Sequence, residues 1–214
     1  NLPDSFRQPV YLTDSLQDAE GIRHKVTLCV LPDFLAIGTD TDFLRIPMLP
    51  RTAQKLAELY EAILPTRKIS DFIHCHSRIK LIPHPMTPDS TMTTIPVFTR
   101  HDSIIESARQ ANCQPLHTLI SGHKKDIVIT NRIAKEPGRL FIYGWHYQDG
   151  IPIQPLSAAH GIGYVDYSHG VRLIRDEVLV DGELHSLKDL LQDPILYRLF
   201  SDEDGPMTTT RYQP

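Results

Sequence analysis

The sequence predicts an α+β fold: one domain over residues 1–214, with a mixed, mostly antiparallel sheet packed by about three helices from the first half. Three observations predict it. Arg51 to Leu64 places Ala53, Leu56, Ala57, Tyr60, Ile63 and Leu64 at helical spacing. Several short alternating runs, such as Lys25 to Leu31 and Glu177 to His185, are bounded by Pro, Gly or Asp as strands are. No Ser/Gly-rich linker divides the 214 residues, which are enough for one sizeable core.

Residues Asn1 to Gly21 carry little pattern and are expected to wrap the surface. Lys25 to Leu31 reads as a half-buried strand, and after a turn at Pro32-Asp33, Phe34 to Gly38 reads as its hairpin partner. Asp40 and Asp42 beside Arg45 fit either a turn with solvated acids or a loop that orders a site or holds a cation. The Arg51–Leu64 helix is opened by Pro50 and closed by Pro65. A second helix, Lys68 to about Arg78, buries Ile69, Phe72 and Ile73. Its His74 and His76, two apart, point to different faces and do not suit one metal ion.

The Pro-rich stretch Leu81 to Val97 is expected to be an ordered loop, followed by a third helix over Asp102 to Ala111. Leu116 to Thr130 reads as strand, tight turn, strand, with Lys124 and Lys125 at the turn. In Glu177 to His185, Asp181-Gly182 between two alternating runs signals a hairpin. Ser186 caps a short helix, Leu187 to Gln192, and another begins near Pro194. The tail from Asp202 is expected to be mobile.

Composition excludes some classes. The net charge is -4, with no basic run to bind nucleic acid and no acidic tail. No apolar run approaches the roughly 20 residues that span a bilayer. Cys29, Cys75 and Cys113 form no CxxC pair, so a cysteine zinc site is not expected, and their disulfide state stays open. The chain begins at Asn1 rather than Met, as a processed or trimmed product does.

The stretch Leu140 to Arg172 concentrates chemistry. It holds Trp145, the only Trp, with His146, His160 and His169 and four Tyr. It reads as a strand ending at His146, a long Gly- and Pro-bearing loop, and a second strand from near Tyr167. Such a layout is expected to gather His146, Asp166, Ser168 and His169 as acid, base and nucleophile around one cleft. Lys124 or Lys125 at the rim and Arg172 offer cations for a substrate carboxylate. Tyr143, Trp145, Tyr164 and Tyr167 offer hydrogen bonds and stacking surface. His146, His160, Asp166 and His169 are also adequate zinc ligands in type, but their spacing fits no zinc motif, and no metal or other cofactor is expected.

Ser168-His169-Gly170-Val171-Arg172-Leu173 resembles the S-H-G-C-x-R signature of YkuD-type L,D-transpeptidases. In that family an upstream strand also ends in His, as Ile142-Tyr143-Gly144-Trp145-His146 does here. The resemblance covers about thirty residues; the family's nucleophilic Cys after Gly170 is absent, Val171 comes next, and the motif is one residue shorter, with Arg172 directly after Val171. It implies a β-rich, extracytoplasmic protein acting on peptidoglycan. The expected function is therefore a secreted or periplasmic hydrolase or transferase of a cell-envelope polymer, with a cell-wall peptide or glycan as substrate. Two other readings stand beside it: a noncatalytic glycan- or peptide-binding domain and a metal-dependent hydrolase. The sequence does not set the oligomeric state.

Overall fold

The computed structural model describes residues 2–213. In chain order its strands are β1 (Val10–Gln17), β2 (Arg23–Val30), β3 (Ala36–Thr39), β4 (Asp42–Arg45), β5 (Ala62–Ile63), β6 (Ile79–Lys80), β7 (Ile120–Ser121), β8 (Lys125–Ile127), β9 (Ile142–His146), β10 (Pro152–Ser157), β11 (His169–Gly170), β12 (Ile174–Arg175), β13 (Glu177–Val180) and β14 (Glu183–Ser186). The helices are α1 (Pro50–Leu59), α2 (Arg67–His76), α3 (Ile95–Gln110), α4 (Arg132–Lys135), α5 (Leu187–Gln192) and α6 (Tyr197–Phe200).

The α+β class holds, and most pairings are antiparallel, but the strands form several sheets rather than one. The largest runs β14-β13-β2-β12-β5, with β1 also paired to β2. A four-stranded sheet runs β10-β9-β8-β11, in which only β8 and β11 are parallel. One continuous core joins them, from Leu12 through Val26, Ile73, Phe141 and Leu191 to Tyr212. Cys29 is buried and Cys75 and Cys113 are exposed, all three as free thiols.

Several sequence expectations are corrected. Residues 10–17 are not a loose wrap but an eight-residue strand paired along its whole length with β2. Only Leu12 of that strand is buried, so its pattern is faint. The segment after Pro32 does not pair with β2: β3 pairs with β4, while Asp33 turns inward to Arg45 and His123. Arg45 leaves Asp40 and Asp42 aside, and Asp40 instead accepts hydrogen bonds from Ser5. The first helix stops at Leu59, because Glu61 at φ 50° reverses the chain and sends Ala62 and Ile63 to the sheet as β5.

The third helix starts earlier than expected, at Ile95. β7 and β8 do not form a hairpin: β7 lies parallel to β6, and β8 lies between β9 and β11. The expected loop after His146 contains β10, folded back on β9. The tail is fixed rather than mobile. Tyr212 is 1% exposed, and its hydroxyl donates to the Val128 carbonyl and accepts from the Phe141 amide.

Gly170 shows how closely this interior is fitted. A Cβ built there would lie 2.5 and 2.8 Å from the Phe34 ring. Arg172 on one side and His123 on the other hold that ring in place. Gly170→Ala is therefore expected to destabilise by roughly 1–3 kcal/mol through overpacking. Urea unfolding should show a lower midpoint at unchanged m; an unchanged midpoint would mean that Phe34 yields freely.

Candidate active site

Strand β9 reads Ile142-Tyr143-Gly144-Trp145-His146 and is buried throughout. Regular alternation would send Tyr143 and His146 to opposite faces. Gly144 at φ 106° and Trp145 at φ 58° break that alternation. A left-handed aromatic residue is uncommon and is retained only where its surroundings enforce it. Here the Trp145 indole N–H donates to the His123 carbonyl at 3.2 Å, and the Lys125 ammonium lies 4.7 Å from its ring centre. The result is that Tyr143 and His146 reach the same carboxylate, that of Asp71.

Helix α2 supplies the other half. Thr66 caps it, accepting from the Ile69 amide at 3.1 Å. Arg67, Asp71 and His74, at i, i+4 and i+7, share the face turned to β9. Asp71 Oδ1 is 2.7 Å from His146 Nε2 and 2.8 Å from the Tyr143 hydroxyl. The His74 and His146 rings stack at 4.6 Å, and His74 Nδ1 is 2.9 Å from Ser121 Oγ. Asp126 closes the inner side. The place a Gly144 Cβ would take is 3.1 Å from His146 Cε1 and 3.7 Å from Asp126 Oδ2, so only glycine leaves room between them.

Exposure divides these groups. The Asp71 side chain is 48% exposed, while that of His146 is 4% exposed. Asp126 is buried, and burial raises its pKa against the pull of Arg172. Burial pushes His74 down to about 4, so its ring is neutral near pH 7. The arrangement is a half-exposed carboxylate hydrogen-bonded to a buried imidazole, backed by a neutral imidazole and an inner carboxyl.

The other expected catalytic residues lie elsewhere. Ser168 donates its hydroxyl and its amide to Asp166 Oδ1, at 2.6 and 2.8 Å. Tyr164 donates to Asp166 Oδ2 at 3.1 Å and stacks on His160. Burial alone would raise Asp166; the facing His169 ring and the Ser168 bonds hold it below the usual carboxylate range. His169 is fully buried, its Nε2 has no hydrogen-bond partner, and burial depresses its pKa. Lys125 lies near this group. Neighbours Lys125 and Asp126 point to opposite faces of β8, the first toward Asp166 and His169, the second toward His146. The four-stranded sheet thus separates His146 from His169, and the expected common cleft is not formed.

Three expected substrate-binding residues are internal. Lys124 is 2% exposed and donates to the Tyr167 carbonyl; burial lowers its pKa to about 8. Tyr167 is 2% exposed and its hydroxyl meets the backbone of Met86. Arg172 donates to the Leu31 and Ile120 carbonyls at 2.9 and 2.8 Å, so it ties strands together rather than binding a carboxylate. Sequence reasoning missed Asp71, His74, Ser121 and Asp126. The available signal was the shared helix face of Asp71 and His74, beside a strand that ends in His146.

Among the described residues no three His, Cys, Asp or Glu converge so as to hold a metal ion. Nor, among them, is any helix long and apolar enough to cross a membrane. Comparison with known proteins finds no matching family model, no curated relative and no solved structure that resembles the chain.

Proposed function

We propose that the chain is a secreted or periplasmic hydrolase of a cell-envelope polymer, working by acid–base chemistry at Asp71 and His146. The observation that carries this reading is the Asp71 carboxylate, half in solvent and 2.7 Å from His146 Nε2. Asp71 takes a proton from the attacking water at its open edge and returns it to the leaving group as the bond to that group breaks, and His146 and Tyr143 fix the direction of the carboxylate. A transferase would use an acceptor hydroxyl or amine in place of that water. The polymer and the compartment rest on the likeness of Ser168 to Leu173 to the YkuD-type transpeptidases.

Water as nucleophile follows from what the residues offer. The family's Cys is absent, and Ser168 is 1% exposed with its hydroxyl committed to Asp166. A Cys29→Ser, Cys75→Ser, Cys113→Ser triple variant is expected to keep its turnover. A folded triple variant without activity would make a thiol the nucleophile.

The binding-module reading is weaker, because Trp145 at 4% exposure and Tyr167 at 2% cannot offer stacking faces to a ligand. Purified peptidoglycan incubated with the protein is expected to release new amino groups or reducing ends. Retention of the polymer with neither product would leave a noncatalytic binder.

A further inference from the structure

A cleft of about 340 Å³ opens on the largest sheet, where β2 ends and β12 meets β5. That volume lies in the range of small-ligand sites, which combine apolar walls with a few polar groups. The buried residues Val30, Leu35, Ala62 and Leu173 line it. Cys29 joins them; burial pushes its thiol up, so it stays neutral and acts as a small apolar wall. A sugar ring here would press its hydroxyls against Val and Leu without partners, at a cost in desolvation. An alkyl chain meets the same walls without that cost. Neither Asp71 nor His146 lines this cleft, and the inference does not depend on them.

The rim is polar. Its exposed charged and hydroxyl side chains are Arg7, Tyr60, Glu61 and Arg175, three of which carry donors. Arg175 Nε lies 2.9 Å from Glu177 Oε2, so that charge is already answered. Arg7 is less committed. Its Nε donates to the Leu2 carbonyl at 3.2 Å, and Asp4, 90% exposed, lies 3.7 Å away. Among the described residues its two terminal nitrogens have no hydrogen-bond acceptor.

The fold keeps Arg7 at this rim. It ends the helical turn Asp4–Arg7, which Phe6 anchors, fully buried and edge-on to Phe43. A guanidinium whose outer fork is free matches a carboxylate, which only accepts. Glu61 on the same rim disfavours a second negative charge.

We propose that this cleft binds a short-chain aliphatic carboxylic acid, with its chain against Val30, Leu35, Ala62 and Leu173 and its carboxylate on the Arg7 guanidinium.

The test titrates the whole chain with hexanoate, hexan-1-ol and hexylammonium and reads the methyl signals of Val30, Leu35 and Leu173 by NMR. Hexanoate is expected to shift these methyls and to show NOEs to them, with a Kd in the millimolar range usual for so small a ligand. Hexan-1-ol should bind roughly 2–5-fold more weakly, the worth of an exposed ion pair, and hexylammonium more weakly still. Arg7 is exposed, so Arg7→Gln leaves the core alone. That variant should bind hexanoate no better than the alcohol, with the alcohol unchanged. Glu61→Gln keeps the side chain's size at an exposed position and should tighten hexanoate alone, by up to about twofold. No hexanoate binding, shifts confined to residues outside the cleft, equal binding of the three probes, or unchanged hexanoate binding by Arg7→Gln would overturn the proposal.

Discussion

Arg45→Met is expected to destabilise the fold by about 3–5 kcal/mol, the cost of leaving buried charges without their partner. Arg45 is 1% exposed at the end of β4. Its guanidinium reaches Asp33 at 2.7 Å, Asp102 at 3.1 Å and Glu106 at 3.3 Å. The rings of Phe6 and Phe43 flank it. The group ties the β3–β4 hairpin both to α3 and to the turn after β2. Without the cation, burial raises Asp33 and Asp102 against only the weaker pull of His123 on the first and Lys124 on the second. The loss is a fifth or more of the roughly 5–15 kcal/mol that a domain commands. Urea unfolding measures it. Asp102→Asn in the Arg45→Met background should recover part of the loss, since the two changes act on one network. A cost below about 1 kcal/mol would mean that the network behaves like a surface ion pair.

The second large effect is acid sensitivity. Burial pushes His74 and His123 down to about 4 and His101 down to about 2, and lowers His169 as well. The unfolded chain binds protons on these rings below pH 6.5, and the folded chain refuses them. Stability from this source is complete above about pH 6.5 and is lost as pH falls toward 4. Asp102 and Asp126 act in the opposite sense, since burial raises both and the folded state takes up their protons first. The four imidazoles outnumber these two carboxyls and His24, which Asp181 and Asp18 raise, and each proton that only the unfolded chain takes up is worth about 1.4 kcal/mol per pH unit. Asp33, held well below the usual range by Arg45 and His123 against its burial, adds its loss only below about pH 4. Urea midpoints stepped from pH 7.5 to 4.5 should fall steeply below pH 6.5. A flat profile would require these rings to be protonated in the folded state.

Local chemistry made part of this fold legible. Helices α1 and α2 announce themselves by period, and Asp181-Gly182, at φ 53° and 90°, makes the β13–β14 turn that its sequence promises. Ser186 caps α5 through the Asp189 amide. Non-local choices were not legible. Strand β1 buries a single side chain, so little alternation marks it. That β11 lies on β8, and that Tyr212 returns to bridge Val128 and Phe141, depends on contacts distant in sequence.

The candidate site was half legible for the same reason. His146 and Tyr143 stand out in the sequence. Their partner Asp71 lies 75 residues from His146, on a helix whose polar face reads as solvated. The turning of His146 toward it depends on two left-handed residues that pattern alone would place in a regular strand.

The central claim is that proton transfer occurs at Asp71 and His146 and not at Ser168. It is tested most directly by comparing kcat on peptidoglycan for Asp71→Asn and Ser168→Ala, each shown to be folded. The account predicts that Asp71→Asn loses roughly 10²–10⁴-fold, the usual worth of a general base. Ser168→Ala, which removes only an internal bond to Asp166, should stay within a few fold of wild type. Full turnover in Asp71→Asn with none in Ser168→Ala would contradict it and move the chemistry to the other face of the sheet.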